Sequence, residues 1–134
     1  MVLSLDDEDE EQGDVSEQLS EDRVYDLLSA SRRRVLLRYL DRNGGRAPFS
    51  DVTRAVAIAE GIDEDAAPSE YKHVYVSLYQ SHVPKLADAG VLRHDSESKT
   101  LELTARADAL FAHLNFVPPT QRQTLVDRIS ERLG

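Results

Sequence analysis

The stretch from Ser69 to Thr104 constrains the fold more than any other part of the 134-residue chain. It predicts one long helix, a glycine stop at Gly90 and then a β-hairpin. At about 100° per residue, one broad side of this helix is apolar, and we predict that it packs on a core. The residues on that side are Tyr71, Tyr75, Leu78, Tyr79, His82, Val83, Leu86 and Ala89.

The opposite side of the helix is polar but nearly uncharged. Its residues are His73, Ser77, Gln80, Ser81 and Pro84. A solvated helix face normally carries charged side chains, so this composition favours a face that contacts a partner. The order of helix, glycine and hairpin is that of the end of a winged helix, where the outer face enters a DNA groove. Pro84 lies inside the helix and predicts a kink or a loosened turn over Gln80–Pro84.

Three shorter helices precede the long one. Serine N-caps are expected at Ser20, Ser31 and Ser50. Glycines end the second helix near Gly44 and the third at Gly61. In the third helix we expect four residues to face inward, namely Val52, Ala55, Val56 and Ile58.

The hairpin and the C-terminal helices complete the predicted fold. A strand over Val91–His94 turns through residues 95–98 into a return strand over Lys99–Thr104. A following helix is expected to bury Ala107, Leu110, Phe111 and Leu114. A last helix carries the narrow apolar stripe of Leu125, Val126, Ile129 and Leu133, which either packs back on the domain or pairs two copies as a homodimer.

The fold class is therefore mainly α with a small β-hairpin, an α+β winged helix-turn-helix with extra C-terminal helices. We divide the chain into an acidic tail at 1–18, a winged-helix domain at 19–104 and C-terminal helices at 105–134, which pack or dimerise.

The formal charge of -9 is concentrated near the N-terminus. Residues 1–22 carry ten acidic side chains and no basic one, whereas the rest of the chain carries 15 acidic and 16 basic. Such an acidic, low-complexity run is predicted to be disordered over residues 1–18. Thirteen of the 16 basic residues are arginine. This bias, with many Asp and Glu, is typical of proteins adapted to high salt, or alternatively of a high-GC genome.

Three consecutive arginines begin the second helix, where positive charge opposes the helix dipole. An anionic partner such as DNA phosphate would relieve this repulsion, and so would pairing with Asp26 and Asp41, and the sequence leaves both open. Four further cations lie on the long helix and the wing. The candidate phosphate contacts are Arg32, Arg33, Arg34, Lys72, Lys85, Arg93 and Lys99.

Several kinds of site are disfavoured by the residues present. The chain has no cysteine, so disulfides, thiolate chemistry and cysteine-type zinc sites are excluded. The histidines His73, His82, His94 and His113 lack zinc-site spacing, and His82 is expected to be a hydrogen-bonded core residue. Phosphate loops and nucleophile elbows are also missing. We therefore expect no enzyme activity, cofactor or metal, no signal peptide or membrane span, and a cytoplasmic location.

Two stretches resemble known winged-helix families. The segment Leu28–Leu40 is similar to the opening helix of ArsR-type winged-helix regulators, with a small loop, consecutive arginines and an apolar pair. The segment Ser77–Leu92 resembles the recognition helix and first wing strand of a haloarchaeal winged helix-turn-helix family of uncharacterised function. This resemblance covers residues 20–104. It implies a transcription regulator with base-facing residues Ser77, Gln80 and Ser81, while the cysteine-containing metal box of metal-responsive ArsR proteins is missing.

These observations lead to two functional hypotheses. The first is a sequence-specific transcription regulator that binds double-stranded DNA, with a recognition helix over about residues 70–88 in the major groove. The second is a winged-helix module that binds another protein and not DNA. In the second hypothesis the three arginines would be solvated.

Overall fold

The computed structural model describes residues 19–115, which form six α-helices, one π-helical turn and three β-strands. Helix α1 spans Glu21–Leu27 and begins as predicted, because the Ser20 hydroxyl accepts a hydrogen bond from the backbone N–H of Arg23 at 3.1 Å. Helix α2 spans Ser31–Arg42 and has Ala30 as its N-cap, without a side-chain cap, so the prediction of Ser31 as N-cap was wrong by one residue. Gly44 then adopts a left-handed φ of 79°, which ends the helix.

Three antiparallel strands form one small sheet beside the helices. The fold is therefore mainly helical and of the α+β class, as predicted. Strand β1 spans Arg46–Pro48, β2 spans Leu92–Asp95 and β3 spans Thr100–Leu103, in the spatial order β1-β3-β2. The hairpin β2–β3 was expected, but β1 was not. Pro48 fits in β1 because this is an edge strand, where a missing N–H disturbs no ladder.

Helix α3 spans Phe49–Ala59 and follows β1 without a break. Its N-cap is Pro48, so the prediction of Ser50 as N-cap was wrong by two residues. Val52 and Val56 are buried as expected, whereas Ile58 is 69% exposed and does not face inward.

The predicted long helix consists of three consecutive segments. Helix α4 spans Pro68–Ser77, a π-helical turn spans Leu78–His82, and helix α5 spans Val83–Asp88. Gly90 follows with a φ of 79°, as a glycine stop requires.

Helix α6 spans Ala107–Asn115 and packs against α1. Ala107, Leu110 and Leu114 are buried as predicted, and Phe111 packs partly buried against the core. This core is continuous and receives side chains from every helix and from the sheet.

Two earlier predictions fall outside the described residues: the acidic tail at 1–18 and the last helix with Leu125, Val126, Ile129 and Leu133. Within residues 19–115, no helix is both long and apolar enough to cross a membrane.

The two glycines with the same φ of 79° give a matched pair of variants. A Cβ at Gly44 would meet no atom within 4 Å, whereas one at Gly90 would lie 2.6 Å from Arg106 Nη1. Arg106 Nη1 donates to the carbonyl of Ala89 at 3.2 Å and would have to move. We expect Gly44→Ala to lower the free energy of unfolding by about 1–2 kcal/mol, and Gly90→Ala by roughly 1 kcal/mol more. Urea denaturation measures both values. Equal losses of stability in the two variants would show that the contact with Arg106 adds nothing to the effect of Gly90→Ala.

Candidate functional site

The outer face of the long helix is shaped by Pro84. In a regular α-helix this proline would leave the carbonyl of Gln80 without its hydrogen-bond donor. At this point the helix widens into the π turn, which is closed by a hydrogen bond from the N–H of Val83 to the carbonyl of Leu78. Pro84 then lies in the first turn of α5, a position where proline is tolerated. The predicted loosening at this point is confirmed.

The extra residue in the π turn changes which side chains face inward. The buried residues of this segment follow the uneven sequence Val74, Leu78, Val83, Leu86 and Ala89. The step of five residues from Leu78 to Val83 rotates one half of the helix relative to the other, so a single 100° arc cannot fit both halves. The prediction that Tyr75 and Tyr79 belong to the core was wrong, because they are 44% and 47% exposed.

The three residues predicted to face bases lie on or beside the π turn. Gln80 and Ser81 are exposed within it, and Ser77 is half-buried at the end of α4. The turn therefore presents one amide and one hydroxyl group to the solvent. Both can donate and accept hydrogen bonds.

Arg33, a candidate phosphate contact from the sequence, is instead buried, with 6% of its surface exposed. Its Nε donates to the carbonyl of Leu27 at 2.7 Å, and its Nη2 donates to the carbonyl of Asp26 at 2.9 Å. These are carbonyls of the last turn of α1, and that of Asp26 also accepts the N–H and the hydroxyl of Ser29. Arg33 therefore acts as a C-terminal cap for α1, a helix with no basic residue in its own last turn.

The same guanidinium also reaches the long helix. Arg33 Nη1 donates to His82 Nδ1 at 2.9 Å, and Nη2 makes a longer bond to the hydroxyl of Ser29 at 3.3 Å. Arg33 thus joins the connection between α1 and α2 to the π turn. His82 is hydrogen-bonded, as the sequence predicted.

The two neighbouring arginines are also engaged within the domain. Arg34 donates to the carbonyl of Leu28 at 2.6 Å. Arg32 forms a two-pronged ion pair with Glu60, with bonds of 2.6 and 2.8 Å, at the C-terminus of α3. The positive charge at the start of α2 is therefore relieved by carbonyls of the α1–α2 connection and by one carboxylate. Pairing with Asp26 and Asp41 carboxylates, the intramolecular alternative, is not what these three side chains do.

The remaining candidate phosphate contacts differ in how available they are. Lys85 Nζ lies 2.8 Å from Asp26 Oδ2, and Arg93 Nη2 lies 3.5 Å from Glu102 Oε1 on the neighbouring strand. Lys72 and Lys99 are exposed, and neither forms an ion pair with any other residue in 19–115. Among the candidate phosphate contacts, these two lysines are therefore the cations available to a ligand.

Burial and nearby charges shift the pKa values of His82, of Arg33 and of the two carboxylates beside them. Burial, followed by the positive charges of Arg33 and Arg32, lowers the pKa of His82 from its ordinary value of 6.5. Burial also lowers the pKa of Arg33, which the carboxylate of Asp26 partly offsets. The ion pair with Lys85 lowers the pKa of Asp26, and that with Arg32 lowers the pKa of Glu60. Neutral His82 can therefore accept the Arg33 hydrogen bond near pH 7.

An aromatic cleft, which the sequence did not predict, lies beside the π turn. It is formed by Phe49, Tyr75, Tyr79, His94 and Lys99 and has a volume of about 450 Å³. Buried Phe49 meets both tyrosine rings edge-on, with centroids 5.0 and 5.8 Å away, and stacks on His94 at 5.9 Å. The one signal in the sequence was the spacing of four between Tyr75 and Tyr79.

Replacing Arg33 by lysine should destabilise the domain, because one ammonium group cannot make the same planar set of hydrogen bonds. We expect Arg33→Lys to lower the free energy of unfolding by about 2–4 kcal/mol. Arg38→Lys, an exposed change on the same helix, should alter it by less than about 0.5 kcal/mol. Chemical denaturation of both variants measures the difference. Similar small effects would contradict the capping role of Arg33.

Acid should weaken the fold through His82. Its pKa is lower in the folded state, so the unfolded chain binds the extra proton first. Stability is complete above the unfolded value of about 6.5 and falls as the pH drops toward the lower folded pKa. His82→Gln keeps an acceptor for Arg33 but does not titrate, so its melting temperature should fall less between pH 7 and pH 5. His73→Gln, at an exposed histidine, is the control. If the melting temperature of His82→Gln fell between pH 7 and pH 5 by as much as that of the wild type, His82 would not be the source of the acid sensitivity.

Comparison with known proteins identifies one family. A profile described as a domain of unknown function (DUF7344) matches residues 25–102, from α1 to the end of the hairpin, which is more than half of the chain. Compared with curated proteins and with solved structures, the chain matches none. The matched region includes Arg33, the π turn and the aromatic cleft. The chain therefore belongs to the DUF7344 family of domains of unknown function.

Proposed function

We propose that this protein is a winged-helix transcription regulator that reads double-stranded DNA with the π-turn face of its long helix. The observation that carries the proposal is the exposed pair Gln80 and Ser81, uncharged hydrogen-bonding groups on a turn held from behind by Arg33. Amide and hydroxyl side chains on a helix suit base edges in the major groove.

The order of elements supports a winged-helix assignment. Helix α2, strand β1, helix α3, the long helix and the hairpin follow one another, and β3 pairs with both other strands. In a winged helix the second helix of the helix-turn-helix enters the major groove and the hairpin lies beside it. In this proposal residues 70–88 are the recognition helix and residues 92–103 are the wing.

The distribution of cations suggests how the protein would hold the DNA backbone. Arg33 and Arg34 serve the fold, so we assign them no phosphate contact. Lys72 and Lys99 are the first choices, and Arg32, Lys85 and Arg93 would have to exchange a carboxylate for a phosphate. With few free cations among these candidate contacts, affinity should depend weakly on salt and more on hydrogen bonds. Pairing of two copies through the C-terminal helix that the sequence predicts outside the described residues would give two half-sites.

A second candidate function is a module that binds another protein. The observation that favours it is the half-exposed aromatic surface of Tyr75 and Tyr79, because aromatic residues are enriched in protein interfaces. The near-neutral charge of residues 23–134 also fits this alternative.

Selection from a pool of genomic DNA fragments, followed by titration of an enriched fragment, tests the first proposal. We expect the double variant Gln80→Ala/Ser81→Ala to lose about 1–3 kcal/mol of discrimination against altered sites, because it loses base contacts. The matched control is Lys72→Gln, which should weaken all sequences alike and reduce the salt slope by about 1.

Two outcomes would contradict the proposal. One is that the wild-type protein enriches no sequence at low or at molar salt. The other is that the double variant keeps the same sequence preference as wild type. A partner protein whose binding is lost in Tyr79→Ala, without any DNA enrichment, would favour the second candidate.

A further inference from the structure

We infer that the aromatic cleft binds a planar aromatic anion. This inference goes beyond DNA reading, because it rests on the cleft itself. At about 450 Å³ the cleft falls within the usual range for small-molecule sites. Its walls come from three places in the fold: the junction of β1 with α3, the segment from α4 into the π turn, and the hairpin turn with the end of β2.

The aromatic walls are held in position before any ligand binds. Phe49 is only 4% exposed and contacts the rings of Tyr75, Tyr79 and His94. The rings of Tyr75 and Tyr79 are nearly parallel, with an angle of 4° between their planes. Both tyrosines still expose almost half of their surface. A flat ring laid against them would bury this apolar area and gain ring–ring contact.

The residues that line the cleft favour an anion. Lys99 lines the cleft together with His94 and the hydroxyl groups of three serines, and no carboxylate is among the lining residues. The hairpin turn also carries Asp95 and Glu97, which are not among the lining residues, and Asp95 Oδ1 accepts the backbone N–H groups of Glu97 and Ser98. An ammonium ligand would meet the charge of Lys99 and be disfavoured.

Lys99 is also tied to the cleft by its backbone. It has a φ of 57°, the one positive value for a residue other than glycine in the described part of the chain. Its carbonyl accepts a hydrogen bond from the N–H of Phe49 at 2.8 Å. The lysine is therefore fixed at its root beside the aromatic walls, and its ammonium group can meet a carboxylate or phosphate on the ligand.

Such a ligand has two possible sources with the same chemistry: a small aromatic acid or a nucleotide. In either case it would lie between the wing and the turn that carries Gln80 and Ser81. A regulatory consequence follows only if the proposed DNA binding is correct. The ligand would then change DNA affinity by fixing the wing relative to the helix.

The test is a ¹H–¹⁵N NMR titration of the full chain without DNA. The probes are indole-3-carboxylate, cyclohexanecarboxylate as an anion without an aromatic ring, indole as a ring without a charge, and thymidine 5′-monophosphate. We expect indole-3-carboxylate to shift the amides of Tyr75, Tyr79 and Lys99. It should bind at least about tenfold more tightly than either single-feature probe, a difference of about 1.4 kcal/mol.

Matched variants separate the two contributions. Tyr79→Ala removes one wall, and Lys99→Asn removes the charge while tolerating the positive φ. Each should weaken indole-3-carboxylate by about tenfold or more. Tyr25→Ala, at an exposed tyrosine on α1, and Arg38→Gln, at an exposed arginine on α2, should leave binding unchanged. If Tyr79→Ala fails to fold, Lys99→Asn still tests the inference.

The nucleotide probe distinguishes the source. Tighter binding of thymidine monophosphate than of indole-3-carboxylate at the same amides supports a nucleotide, and the reverse supports a small acid. The inference is overturned if neither aromatic anion shifts the cleft amides up to about 10 mM, or if cyclohexanecarboxylate binds equally well. Because DNA is left out, such a failure would not affect the proposed function. Failure to bind DNA would equally leave the ligand result intact.

Discussion

The organisation of this domain depends on one buried guanidinium. Arg33 caps the last carbonyls of α1 and donates to His82 in the π turn, so it connects the beginning of the domain to the long helix. A charged group can remain buried only when its donors are satisfied, and here four hydrogen bonds serve that purpose. The same arrangement removes Arg33 from the surface, where a stretch of three arginines would otherwise indicate a binding patch.

The π turn is the second constraint, and it follows from a single proline. Because Pro84 cannot donate, the helix adds one residue between Leu78 and Val83 and the following turn is rotated. Gln80 and Ser81 lie in the π turn itself, while Tyr75 and Tyr79 border the adjoining cleft. On our proposals, one local irregularity thus gives the domain both its DNA-reading groups and a ligand site. π turns of this kind are frequent at functional sites.

Much of the fold could be predicted from residues whose effect is local. Ser20 as a cap, Gly90 as a stop and the pattern of the hairpin depend on neighbouring residues, so the sequence reveals them. Strand β1 could not be predicted, because three residues are too few to show alternation and its stability comes from pairing with β3. The burial of Arg33 and the exposure of Tyr75 depend on long-range contacts and on a change of helical period, which a uniform 100° arc does not contain.

The central claim is that the π-turn face, supported by Arg33, is the surface that meets DNA. Hydrogen–deuterium exchange of the full chain, with and without an enriched DNA fragment, tests it most directly. The account predicts that protection is greatest at Ser77, Gln80 and Ser81 and extends to the hairpin turn near Lys99. Protection confined to α1 and α6, with the π turn unchanged, would contradict it.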